Sequence, residues 1–236
     1  MQVLLFALLG AGVGLLLDPL VVRLAVAVPV PDAQGSPAEE RPLILSFGEA
    51  GRVRLAALLG EPPWWRRPAL IAVTVAAFAV AAARYHDVEQ AAVVSAYAAV
   101  LIVCAATDLM AFRVANVVTY PAAGGAILAA ALMPGGDLIQ ALIGGAVGAG
   151  LMLVMAIVSR GGLGLGDVKL AGFAGLALGG PLILPALLIT ALAGGVAAAY
   201  LALRVRRRSY PMPYAPFISG GALAVLLWQG CTFASL

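Results

Sequence analysis

Two aspartates stand at the edges of long apolar runs: Asp108 closes AVLIVCAATD and Asp167 closes GGLGLGD. A carboxylate beside a membrane-length apolar run is costly to keep, so each marks a functional site with the other as its natural partner. Two carboxyl groups within a few ångströms cannot both ionise, and a pair sharing one proton carries out aspartic proteolysis. The ionised member acts as general base on a water, while the protonated member polarises the scissile carbonyl. Taken alone, either acid has a plainer explanation. A boundary aspartate can simply reach the headgroup region, and a glycine loop followed by an acid in the first turn of a helix is common. Only as a pair do they define chemistry.

The elements that position these acids must lie in a membrane. The chain of 236 residues is 63% hydrophobic and 11% charged, with a mean hydropathy of +1.05. Soluble domains are nearer a quarter charged, and so little polar material cannot cover a soluble surface. Spans of roughly 20 apolar residues are predicted near 3–27, 69–84, 91–108, 114–133, 138–158, 168–184, 186–203 and 216–235. The stretches 69–84 and 168–184 are short for the task. The expected fold is all-α, a polytopic membrane protein of about eight transmembrane helices forming one unit over 1–236, with 28–68 as a loop. That loop is rich in Pro, Gly and mixed charge, and its Trp64-Trp65-Arg66-Arg67 run reads as an interfacial anchor.

Arginine placement orients the spans. The first span has no basic residue before it and ends on Arg23, so it is not an ordinary signal peptide. Arg41, Arg52, Arg54, Arg66 and Arg67 in the next loop, then Arg113, Arg160 with Lys169, and Arg204 with Arg206, Arg207 and Arg208 fall on alternate connections. The positive-inside rule makes that side cytoplasmic, leaves both termini outside, and puts Asp108 and Asp167 at the same, cytoplasmic, face. Basic residues that flank spans in this way also argue against a nucleic-acid partner, despite a pI near 9.1.

Among the remaining polar residues, Lys169 lies two positions past Asp167 and is expected to point away from it. It would meet a substrate acid or snorkel to a headgroup. Asn116 would orient a loop near Asp108 or bond local backbone. Asp18 is expected to pair with Arg23 or to cap a polar cavity, and His86 to be solvated in an outside turn. Gly10 with Gly14, and Gly144 with Gly148, have the GxxxG spacing of closely packed helices. Cys104 and Cys231 read as packing residues that form neither a disulfide framework nor a metal site.

GLGLGDVKLAGFAGLALG resembles the GxGD signature of the type IV prepilin peptidases, with Gly164, Gly166, Asp167 and Lys169 in register and Gly172, Gly175 and Gly179 following. DLMAFRVANVVTYP is similar to that family's first-aspartate segment, with Asp108, Asn116, Thr119 and Pro121 in place and Ala115 where a proline is usual. PMPYAPFISGG resembles its late proline-rich motif through Pro213, Pro216 and Phe217, and GVGLLLDPLVVRL echoes its first helix, with Asp18 where an asparagine is usual. The resemblance implies a membrane aspartic endopeptidase with Asp108 and Asp167 catalytic and with Gly164, Gly166, Lys169 and Asn116 shaping the site. It would need no cofactor or metal. It would cut the leader from prepilin or pseudopilin substrates after a glycine, leaving an apolar helix in the lipid bilayer. Long members add a cytoplasmic domain with two CxxC pairs, and many methylate the new N-terminus. Residues 28–68 contain no cysteine, which argues for a short form that cleaves without zinc and against N-methyl transfer. The competing reading is a proton-coupled transporter or channel, since paired aspartates also relay protons. Transport requires the acids near the bilayer midplane on a continuous path, whereas proteolysis requires them near one face beside a cleft. A silent scaffold of a pilus or secretion assembly is a third reading, and oligomeric state is left open.

Overall fold

The computed structural model describes residues 1–26, 66–159, 163–205 and 212–235. Among these residues there are eight helices: α1 Gln2–Val26, α2 Arg66–Arg84, α3 Val88–Ala111, α4 Asn116–Leu132, α5 Leu138–Val158, α6 Leu165–Leu178, α7 Gly180–Val205 and α8 Ala215–Trp228. The number and order of helices follow the apolar runs of the sequence. The loop before Arg66, with Trp64 and Trp65, lies outside the described residues, as do Arg160, Gly161, Gly162 and Arg206 to Arg208.

Helix lengths depart from the sequence expectation in ways the local chemistry explains. Five helices (α1, α2, α3, α5 and α7) are long and apolar enough to cross a membrane, whereas α4 has 17 residues and α8 has 14. Helix α2 begins at Arg66 rather than 69 and reaches 19 residues, so it is not short. The stretch read as 168–184 is instead the 14-residue α6, which ends at Gly179, with φ 87° and ψ 170°. That backbone region is open to glycine and closed to side chains. Pro181 then falls in the first turn of α7, where its missing N–H costs nothing. The boundary expected between 184 and 186 falls inside α7, which contains Pro185. The last helix stops at Trp228, short of the expected 235. Beyond it, Gly230 at φ 115° opens a small antiparallel pair, β1 (Gly230–Cys231) and β2 (Ala234–Ser235). Thr232 ties this turn to the end of α6, its N–H and hydroxyl donating to the Ala177 carbonyl at 3.2 and 3.3 Å.

Helix α3 forms the centre of the bundle, burying Val94, Ala98, Leu101, Ile102, Val103 and Cys104 among its neighbours. Tyr97 meets Phe173 of α6 edge-on at 5.9 Å, and the Tyr85 hydroxyl donates to the Leu226 carbonyl of α8 at 2.7 Å. Cys104 and Cys231 are both buried and unbridged. Outward faces carry Leu, Val and Ile in number, among them Leu8, Leu16, Ile157, Leu192 and Val196. This is the distribution of a protein solvated by lipid, where apolar surface needs no cover.

Both GxxxG spacings make close contacts. A Cβ on Gly10 or Gly14 would meet α2 backbone at 3.0 and 2.9 Å, at the Cα atoms of Val75 and Ile71. Between α5 and α6 the approach is closer still. A Cβ on Gly144 would run into the Gly175 carbonyl, one on Gly175 into Gly144, and one on Gly148 into the Ala171 carbonyl. Gly175→Ala should therefore wedge these helices apart at a cost of ~1–3 kcal/mol or more. Gly150→Ala, with open space around it, should be neutral or gain about 0.5–1 kcal/mol from helix propensity. Thermal unfolding in detergent reads the difference, and equal melting of the two variants would contradict this packing.

Asp18 does not pair with Arg23. Five residues along a helix rotate a side chain about 140° away, and the Asp18 carboxylate is taken by the start of α2. Arg66 donates to Oδ1 from Nε at 3.0 Å, with its Nη2 2.8 Å from the same oxygen, and Arg67 Nε donates to Oδ2 at 2.8 Å. Two cations at a helix N-terminus oppose the helix dipole. The buried carboxylate from α1 offsets them and fixes α1 against α2.

Candidate active site

The cavity is built by three helix ends. Asp108 lies one turn before the end of α3, which closes at Phe112, a non-glycine residue in left-handed conformation (φ 49°, ψ 40°) whose N–H donates to the Asp108 carbonyl at 2.8 Å. This sharp stop turns the chain through residues 113–115 into α4. Asp167 is the third residue of α6. Its Oδ2 accepts the Gly164 N–H at 3.2 Å while its own N–H donates back to the Gly164 carbonyl at 3.1 Å. Gly166 has a steric reason to be glycine, since a Cβ there would meet the Val114 side chain at 3.1 Å. Gly164 contributes its N–H instead, with only the Asp167 carboxylate nearby.

Asp108 and Asp167 are both buried, at 6% and 7% exposure, and both line one cavity of about 460 Å³ together with Thr107, Arg113, Asn116 and Lys169. Their charges lie close enough to interact. Each carboxylate meets the positive end of a helix. For Asp167 it is the start of its own helix. Asp108 sits at the unfavourable C-terminal end of α3, but its Oδ2 accepts the N–H of Ala215, the first residue of α8, at 3.0 Å. Helix N-termini stabilise negative charge. The Tyr214 backbone N–H also faces the Asp108 carboxylate, so the chain's entry into α8 holds this acid through two successive backbone groups.

Lys169 forms no ion pair with a carboxylate among the described residues. Its ammonium donates to Asn116 Oδ1 at 3.1 Å and lies 5.1 Å from the centre of the Tyr120 ring. Asn116 thus holds Lys169 across the gap between α4 and α6 rather than bonding local backbone. His86 is exposed between α2 and α3, away from this cavity. Sequence reasoning missed Tyr214 and Ala215. Tyr214 packs on Phe217 with ring centres 5.9 Å apart, and its ring fills the space where Gly194 of α7 lacks a side chain. Burial, and then the Asp167 charge, push its phenol pKa upward, so it remains a protonated donor at neutral pH. The one sequence signal for this segment is the pair Pro213 and Pro216, which fixes how the chain enters α8.

Residues 95–199, a stretch that contains both aspartates, match the type IV leader peptidase family. This stretch is similar to the type IV leader peptidase family. Over 195 residues it is 28% identical to the prepilin leader peptidase/N-methyltransferase of Bacillus subtilis (strain 168), covering 82% of this chain and 77% of that protein. No solved structure matches the chain. The matched stretch runs from within α3 to within α7, so α1, α2 and α8 lie outside it. Even so, α8 supplies the N–H that holds Asp108.

Proposed function

We propose that the protein is a membrane-embedded aspartic endopeptidase that removes the leader of prepilins or pseudopilins, with Asp108 and Asp167 as its catalytic dyad. The observation that carries this reading is the convergence of two buried carboxylates, 59 positions apart in sequence, on one cavity at helix ends. Acids near the ends of α3 and α6, beside an open cavity, suit peptide cleavage better than a midplane proton path.

In the reaction, the ionised aspartate takes a proton from a water held between the two carboxyl groups. The resulting hydroxide adds to the scissile carbonyl carbon. The protonated aspartate donates a hydrogen bond to the carbonyl oxygen as it gains charge. Collapse of the tetrahedral intermediate breaks the C–N bond, and the leaving amine takes a proton from the dyad. The proton belongs to the pair, so the two residues share the acid and base roles. Lys169, held by Asn116, and the N–H groups at Gly164 and Ala215 shape the cavity. The arginine distribution supports a position at the cytoplasmic face of the membrane. The B. subtilis relative is named for N-methyl transfer as well. With no cysteine in residues 28–68 of this chain, cleavage alone is proposed.

The deciding experiment reconstitutes the purified protein with a prepilin in liposomes. The expected product has lost its leader after a glycine, as read by N-terminal sequencing. An intact prepilin together with proton flux across the liposome wall would instead establish the transporter reading.

A further inference from the structure

A second, apolar groove of about 290 Å³ opens between α4, α5 and α6, lined by Tyr120, Ala123, Leu142, Ala146, Phe173 and Leu176. Lys169 stands in the wall of this groove and also in the wall of the aspartate cavity, so the two spaces meet at its side chain. The groove has a direction. Helices α4 and α6 both begin at the aspartate cavity, and the lining residues fall progressively further along each. Leu176 is nine residues past Asp167, ~13 Å along the helix axis. Tyr120 and Leu142 on its rim are exposed, leaving the groove open sideways to lipid. Its floor is kept deep by Gly145 and Gly172.

We propose that this groove seats the apolar segment of the substrate on the retained side of the cut. In this arrangement Lys169 donates to a main-chain carbonyl between the cut and that segment. The proposal rests on the leader peptidase reading. A substrate held at the two aspartates and anchored in lipid must leave the cavity along an apolar path, and this groove leaves from the cavity wall. Lys169 has no carboxylate within ion-pair distance among the described residues. Its ammonium has three donors, one of which goes to Asn116, so acceptors from a passing peptide complete its surroundings. An extended backbone has carbonyls to offer at that point, whereas a lipid chain has none.

The test fills the groove and compares two substrates. One is a prepilin-type polypeptide with an apolar segment of about 20 residues. The other is the same leader and cut site truncated shortly after the cut. For Ala123→Phe and Ala146→Phe, the ratio of kcat/KM for the long substrate over the short one should fall at least tenfold, through KM. A ratio equal to that of the unaltered enzyme overturns the groove. Cleavage of neither substrate by the unaltered enzyme overturns the leader peptidase reading and the groove with it. A photo-crosslinking residue at Leu142 in otherwise unaltered protein gives an independent measure that does not depend on the filled variants folding. It should capture the apolar segment of the long substrate, while the same residue at the lipid-facing Leu192 should not. Equal capture at both positions means that the segment only wanders in the surrounding lipid, and it overturns the proposal.

Discussion

Asp108→Asn and Asp167→Asn each lower leader cleavage by about 10³-fold or more, while the protein melts within a few degrees of the unaltered enzyme. General acid–base catalysis contributes about 10²–10⁴-fold, and in the proposed mechanism a single pair activates the water and protonates the leaving amine. The amide is nearly isosteric with the acid. It retains an oxygen that can accept the Ala215 N–H in place of Asp108 Oδ2, or the Gly164 N–H in place of Asp167 Oδ2. The fold therefore keeps its anchors and loses only the proton chemistry. Because the two residues act as a unit, the double variant should be hardly worse than either single one. Leader cleavage assayed with a purified prepilin, alongside thermal unfolding, checks both parts. Retention of activity within tenfold by either single variant would remove the dyad. A double variant far slower than both singles would mean that the two acids act in separate steps.

Much of this site was legible in the sequence because its chemistry is local. Asp167 follows a glycine-rich approach into a helix, and Asp108 ends an apolar run, so both announce themselves by their surroundings. The apolar runs also carry the helix count. What was not legible depends on contacts across the bundle. The Ala215 N–H that holds Asp108 is a backbone group 107 residues away, and no side chain signals it. The partner of Lys169, Asn116, is 53 residues away on another helix. The break at Gly179 was missed because hydropathy runs smoothly through it, and only a backbone with positive φ marks the spot. The expected boundary at 185 is crossed by α7 with Pro185 inside it. In a membrane helix the carbonyl freed by a proline can be satisfied by its neighbours, so proline is not a reliable terminator there. Periodicity and composition report how each segment meets its solvent, whereas helix-to-helix register is set by packing.

Asp18→Ala should be the most destabilising single change outside the packed glycines, at ~3–5 kcal/mol. The carboxylate is 4% exposed and faces two arginines. Removing it leaves the Arg66 guanidinium, whose side chain is 14% exposed, without its countercharge at the positive end of α2. Arg67 matters less, since its side chain is 76% exposed and water solvates it. The penalty thus comes mainly from stranding Arg66, which makes it separable from loss of packing. In an Arg66→Met background, Asp18→Ala should cost markedly less, giving a coupling energy of about 0.5–3 kcal/mol in a double-mutant cycle. Asp18→Asn should fall between the unaltered protein and Asp18→Ala, because its amide oxygen still accepts one guanidinium hydrogen bond without cancelling the charge. Reversible denaturation in mixed micelles measures all four corners of the cycle. Zero coupling would mean that the ion pair contributes nothing beyond its separate side chains. A cleavage rate lost in step with Asp18 even where the variant remains folded would instead tie the α1–α2 clasp to the aspartate cavity, whose lining includes Leu24 of α1 but not Asp18.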